Sequence, residues 1–232
     1  MRKLASSVIA LLLGILFYRV ANFRFSEEEV RLYEQLYAQA LHSKEGIQMP
    51  ASVSKARFLQ YIAYTKPVVL HGTNRPDIAT FEPRRQTLYN GTYTEAVFAA
   101  KDGIFVLFYA VLDRSKVLYN MRNACFHTGT RRYYYFSLTL ETVRNYPWTN
   151  GTVYVLPQEP FTFAAAGKLA AFEEWVSSSP VEPLAKINVE PADFVFRNRV
   201  AAHPHAEHPV VSWLLYKRRV KRMKLPVGDD LV

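Results

Sequence analysis

A change of hydrophobic period at Pro67 constrains this chain more than any other feature. Before it, Val30, Leu32, Tyr33, Leu36, Tyr37 and Leu41 recur at helical spacing. They follow Ser26-Glu27-Glu28-Glu29, a capping box in which Ser26 is the N-cap and Glu29 reaches back to it. That helix ends before Gly46, and Pro50 opens a turn. Ser54 starts a second helix through Phe58, Leu59, Ile62 and Ala63, which stops before Pro67. After Pro67 the apolar residues come in short runs bounded by turn residues: 68–70, 96–100, 132–140, 152–156, 172–176 and 184–189. Asp102-Gly103 breaks the series, and Ile104 to Leu112 form a buried helix that contains Tyr109. Residues 74–95, rich in Asn, Arg, Pro, Thr and Gly, read as a long loop. Helices first and then mostly antiparallel strands define an α+β class.

At 232 residues, with half of them hydrophobic and 14% aromatic, the chain can bury a real core and is not a disordered tail protein. A single cysteine excludes an internal disulfide framework and any multi-cysteine zinc module. The net charge of +9 is uneven: residues 217–224 hold six basic side chains, and without them it falls to +3. The run reads as a solvated tail or as a contact for anionic lipid or nucleic acid. The nearly balanced body fits a small nucleotide pocket better than a nucleic-acid surface.

Residues 4–18 carry no charge; Arg2 and Lys3 precede them and Arg19 follows. The layout suggests an uncleaved single-pass membrane anchor, with a cleaved secretory signal or a helix docked on the body as alternatives. The organisation expected is an anchor at 1–24, a helical lead-in at 25–66, a catalytic-size domain at 67–200 and a basic tail at 201–232.

Gly-x-Gly-x-x-Gly, Walker, Gly-x-Ser-x-Gly and His-Glu-x-x-His motifs are absent. His203, His205 and His208 are close enough in sequence for a metal, but two prolines hold the segment extended and nothing regular frames it. Cys125 lies near His127, a pairing that serves as a nucleophile only where the fold supplies a base and an orienting group. Asn90-Gly91-Thr92 and Asn150-Gly151-Thr152 are glycosylation acceptors only in a eukaryotic secretory pathway.

The order of elements is more informative. His71-Gly72-Thr73 ends a strand, Val97-Phe98-Ala99 forms the next, Tyr109 lies in the following helix, and Glu173-Glu174-Trp175 opens a late strand. Over about residues 68–195 this resembles the ADP-ribosyltransferase-like superfamily, in the His-Tyr-Glu branch shared by diphtheria-type toxins and poly-ADP-ribose polymerases. The segments at 75–78, 81–84 and 183–186 also resemble a group of bacterial proteins, a likeness that implies no activity. The first resemblance implies a split-sheet domain that takes NAD as substrate, for ADP-ribosyl transfer or NAD glycohydrolysis. An inactive binding module and an RNA 2′-phosphotransferase are the alternatives.

By that resemblance Glu174 stabilises the cation that develops at the ribose, and His71 donates to a ribose hydroxyl. Gly72 lets the backbone pair with the nicotinamide amide, Tyr109 stacks on the ring, and Thr73 and Arg84 complete the binding set. Glu173, and Glu159 in Pro157-Gln158-Glu159-Pro160, are rivals for the carboxylate. Each residue also has a plain role open to it: a hydrogen-bonded His71, a turn at Gly72, a core Tyr109, surface carboxylates and a loop arginine.

Overall fold

The computed structural model describes residues 2–20, 23–43, 46, 49–88, 91–164 and 170–223, with side chains from residue 7 onward. Helix α1 (Arg2–Leu16) leads into strand β1 (Tyr18–Val20), then α2 (Glu27–His42) and α3 (Lys55–Thr65). Strands β2 (Val68–Thr73), β3 (Arg84–Thr87) and β4 (Tyr93–Ala99) precede α4 (Gly103–Val111). Then come β5 (Met121–Thr128), β6 (Arg131–Thr139), α5 (Leu140–Arg144) and β7 (Gly151–Pro157). The chain finishes with β8 (Thr162–Phe163), β9 (Ala171–Phe172), β10 (Trp175–Ser177), β11 (Ala185–Val189), β12 (Ala201–His203) and α6 (Pro209–Arg222). The class is α+β, with split rather than closed sheets.

Local chemistry sets the helix starts. Both halves of the Ser26–Glu29 capping box form, and Ser54 accepts from Arg57 N–H at the head of α3. Asp102 is not merely a break; its Oδ1 accepts from Phe105 N–H at 2.8 Å and caps α4. The lead-in helices are not a separate layer, since Tyr33, Leu36, Phe58 and Leu59 share one core with Val68, Phe108 and Phe136.

Strand β6 organises the larger sheet, ordered β1-β6-β5-β9 with β12 parallel to β6. Its side chains alternate between two cores. Tyr134, Phe136 and Leu138 face the main core, whereas Tyr133 and Tyr135 meet Ala10, Phe17, Tyr216 and Val220 from α1 and α6. A strand covered on both faces reads as a continuous apolar run, which is why residues 132–140 stood out.

Four expectations need correction. No helix among the described residues is long and apolar enough to cross a membrane. Helix α1 has 15 residues, and Arg19 then lies in a strand paired with β6. The single-pass anchor at 1–24, and the membrane location drawn from it, are therefore withdrawn. Helix α1 instead docks on the body, where Lys217 Nζ donates to Gly14 O at 2.5 Å. The basic tail is integrated up to Met223: β12 joins the central sheet, and α6 buries Ser212, Tyr216 and Val220. Residues 74–95 are not all loop. Strand β3 and the start of β4 lie there, hidden because every residue of β3 is exposed and gives no alternation. Finally, 172–176 is not one strand: β9 pairs with β5, β10 pairs with β4 and β8, and Glu173-Glu174 cross between the sheets.

Candidate functional site

The site lies where two small sheets part. Strand β2 is the edge of the sheet β11-β7-β2, and β4 belongs to the sheet β3-β4-β10-β8. They meet at one bridge, where Leu70 N–H donates to Ala100 O at 2.8 Å and Ala100 N–H to Leu70 O at 2.9 Å. Beyond it the strands diverge around a cavity of about 600 Å³. That is the size range of small-molecule sites. His71, Gly72, Thr73, Arg84, Tyr109, Glu173 and Glu174 all line it. Glu159 does not; it is exposed in the turn after β7.

His71 spans the opening. Its Nδ1 lies 2.7 Å from Phe98 O, and a carbonyl can only accept, so Nδ1 carries the proton. Burial pushes the ring's pKa down, and Arg114 and Arg84 push the same way against the Phe98 bond. A neutral ring protonated at Nδ1 leaves Nε2 as an acceptor. The sequence expectation that His71 donates to a hydroxyl is thus reversed: this geometry accepts from one.

Gly72 has two constraints. A Cβ there would sit 2.0 Å from Val106 O, so only glycine lets β2 lie directly on α4. Backbone polar groups of alternate strand residues face the same edge. Leu70 uses its N–H and C=O on Ala100, away from β7, so Gly72 points its own pair to that same, now open, edge. The cavity therefore meets one backbone donor and one acceptor side by side. Thr73 Oγ1 instead accepts from Arg75 N–H at 3.3 Å and shapes the exit turn.

Tyr109 is the one residue of α4 that is only partly buried. Its hydroxyl donates to Asn123 Oδ1 at 2.5 Å, and the Arg114 guanidinium lies 5.3 Å from the ring centroid. Burial pushes the phenol up to about 12, and Glu174 acts in the same direction, so it stays protonated. Glu174, 7% exposed, therefore stands within electrostatic reach of Tyr109.

Glu173 is spoken for. Its carboxylate accepts from Lys101 N–H at 2.7 Å, Trp175 Nε1 at 3.0 Å and Arg132 Nη1 at 2.6 Å. Arg132 also lies 3.5 Å from Asp102, whose carboxyl burial pushes up while Arg132 and Tyr134 draw it back. One half-buried guanidinium thus joins the cap of the Tyr109 helix to the neighbour of Glu174. Sequence reading missed Arg132, Asn123 and Arg114. Only Asp102 had a visible signal, as a capping residue directly before an apolar helix.

The remaining candidates fall elsewhere. Cys125 is fully buried and its thiol is pushed well up by burial, which removes nucleophilic character. His203 is buried between Ser137 and Asn120, His205 stacks on Tyr119, and His208 caps α6. Among the described residues no three His, Cys, Asp or Glu side chains are grouped to hold a metal. No known family model, curated protein or solved structure matches the chain.

Proposed function

We propose that the chain is an ADP-ribosyltransferase-like enzyme that binds NAD in this cavity and breaks its nicotinamide–ribose bond. The open Gly72 donor–acceptor pair, in a cavity shared with His71, Tyr109 and Glu174, carries the reading. A carboxamide pairs with such a backbone edge through one N–H and one C=O. On this reading the C1′–N bond breaks, its electron pair leaves with neutral nicotinamide, and an oxocarbenium-like cation remains. Glu174 stabilises that cation, and its low exposure strengthens the attraction. His71 Nε2 accepts from a ribose hydroxyl. Water or an acceptor nucleophile adds to C1′ and gives up its proton to Glu174 or to solvent.

Incubating the full chain with NAD and measuring released nicotinamide tests this. Glu174→Gln is expected to lower the rate about a hundredfold or more, and Glu159→Gln to leave it unchanged. Equal rates for Glu174→Gln and the parent chain would sink the assignment. A second reading, a fold relative that binds without turnover, draws on Arg114, which stands over the face of Tyr109 where a ring would stack. NAD binding with no nicotinamide release would favour it.

A further inference from the structure

The cavity carries more positive charge than a diphosphate needs. Arg75, Arg84, Arg85 and Arg114 line it. Ion pairs among the described residues engage Arg57, Arg122, Arg132 and Arg219, and none involves those four. On the negative side, Glu173 is matched by Arg132 and the nucleotide reading assigns Glu174 to the ribose, which leaves Glu82 among the lining carboxylates. Two of the four arginines answer the two charges of a diphosphate, and Glu82 offsets a third at most. At least one cation is left over.

Their neighbours separate the arginines as well. Arg84 and Arg114 line the cavity with His71, and both act electrostatically on its ring. Arg85, the next residue of β3, lines the cavity beside Arg84. Its guanidinium lies 4.9 Å from the ring centroid of Tyr93, which is 67% exposed. An arginine stacked on an exposed aromatic ring at the edge of a nucleotide cavity is preorganised to grip a phosphate with its fork while the rings support a base. Glu95 lies directly across the ladder from Arg85 and is exposed. Had a carboxylate held this place, a 2′-hydroxyl would be the expected partner; an arginine suits a 2′-phosphate.

We propose that the cavity prefers a dinucleotide with a third phosphate, 2′-phosphorylated NAD (NADP), over NAD itself, with Arg85 as the residue that reads the extra phosphate. This rests on the nucleotide reading above. The test is calorimetric titration of the full chain with NAD and with NADP at two salt concentrations. NADP is expected to bind about tenfold tighter or more, a difference that one charged bidentate contact can supply. Arg85→Gln should lower NADP affinity about tenfold more than NAD affinity, and Arg85→Lys should fall between. Equal affinities, or a preference that survives in Arg85→Gln, would overturn the proposal while leaving the NAD reading intact. Binding of neither dinucleotide by a chain whose circular dichroism shows it folded would overturn both. Stronger competition by a 2′-phosphorylated RNA end than by NADP would also overturn it, in favour of a nucleic-acid substrate.

Discussion

His71 and His203 are two histidines whose pKa values are both pushed down by burial, yet their surroundings differ in kind. Both ring nitrogens of His203 are used: Nδ1 lies 2.7 Å from Ser137 Oγ and Nε2 2.8 Å from Asn120 Oδ1. Beside it Glu207 is gripped by both ends of the Arg219 fork and by Ser212. Polar groups there close on one another and fasten α6 to the central sheet. His71 has one nitrogen on Phe98 and the other toward a cavity, next to an unpaired strand edge. Buried polar groups are normally satisfied within the chain. At His71 a ring nitrogen and a strand edge face the cavity instead of closing on the chain. Within two conspicuous sequence runs, His203, Lys217 and Arg219 serve as fastenings: His203 to Ser137 and Asn120, Lys217 to Gly14 and Arg219 to Glu207.

Substitutions can break or sharpen this contrast. The largest effect is expected at the cavity edge. Gly72→Ala drives a Cβ into the α4 backbone and should cost more than about 4 kcal/mol or abolish folding. Urea denaturation checks this, and a fully stable variant would show that β2 and α4 do not touch as described. Next is Arg132→Gln, which strands Asp102 and Glu173 as buried carboxylates and should cost about 3 kcal/mol or more at neutral pH. Asp102 already has a raised pKa, so acid protonates it in the folded state first. The penalty should therefore be smaller at pH 5 than at pH 8, and a pH-independent penalty would speak against the network.

His203 gives a smaller effect with the same direction in pH. Its folded pKa is lowered from 6.5 to about 4, so the native state favours the neutral ring. That stabilisation is present above about pH 6.5 and is lost as pH falls from there towards 4. His203→Gln should lower stability at pH 7 and flatten that part of the pH profile; an unchanged slope would assign it to other groups. The smallest effect is expected at Gly14 in α1, where a Cβ would meet only Tyr133 at 3.7 Å. Gly14→Ala should be neutral or stabilising by about 0.5 kcal/mol. A large loss there would mean that α1 sits closer to the sheet than the geometry allows.

Legibility in the sequence followed burial pattern. Helices α2, α3 and α4 and strands β6, β7 and β11 were readable because period and capping residues agreed with their tertiary surroundings. Strand β3 was not, since Arg84 to Thr87 are all exposed and only the pairing with β4 makes them a strand. Strand β5 was passed over although Ala124 and Cys125 are buried, because Arg122, Asn123 and His127 interrupt its apolar pattern. His71, Tyr109 and Glu174 were picked by order and type along the chain, and the fold brings them to one cavity. Neighbouring carboxylates look alike in sequence, so the match of Glu173 with an arginine 41 residues away was not legible there.

By itself the sequence determined the α+β class, the capped helices before Pro67, the buried α4 and the residues that carry the candidate chemistry. Those features depend on local period, capping and residue type, which a chain carries wherever it folds. Tertiary structure alone decided that α1 and α6 become one docked layer, that Gly72 is needed for the contact with α4, and that His71 carries its proton on Nδ1. It also decided that Glu173 is matched by Arg132 and that both glutamates line the cavity. Those outcomes depend on what lies across the gap (Val106 O, Phe98 O, Arg132 and Tyr133), and such neighbours come from segments far apart in the chain.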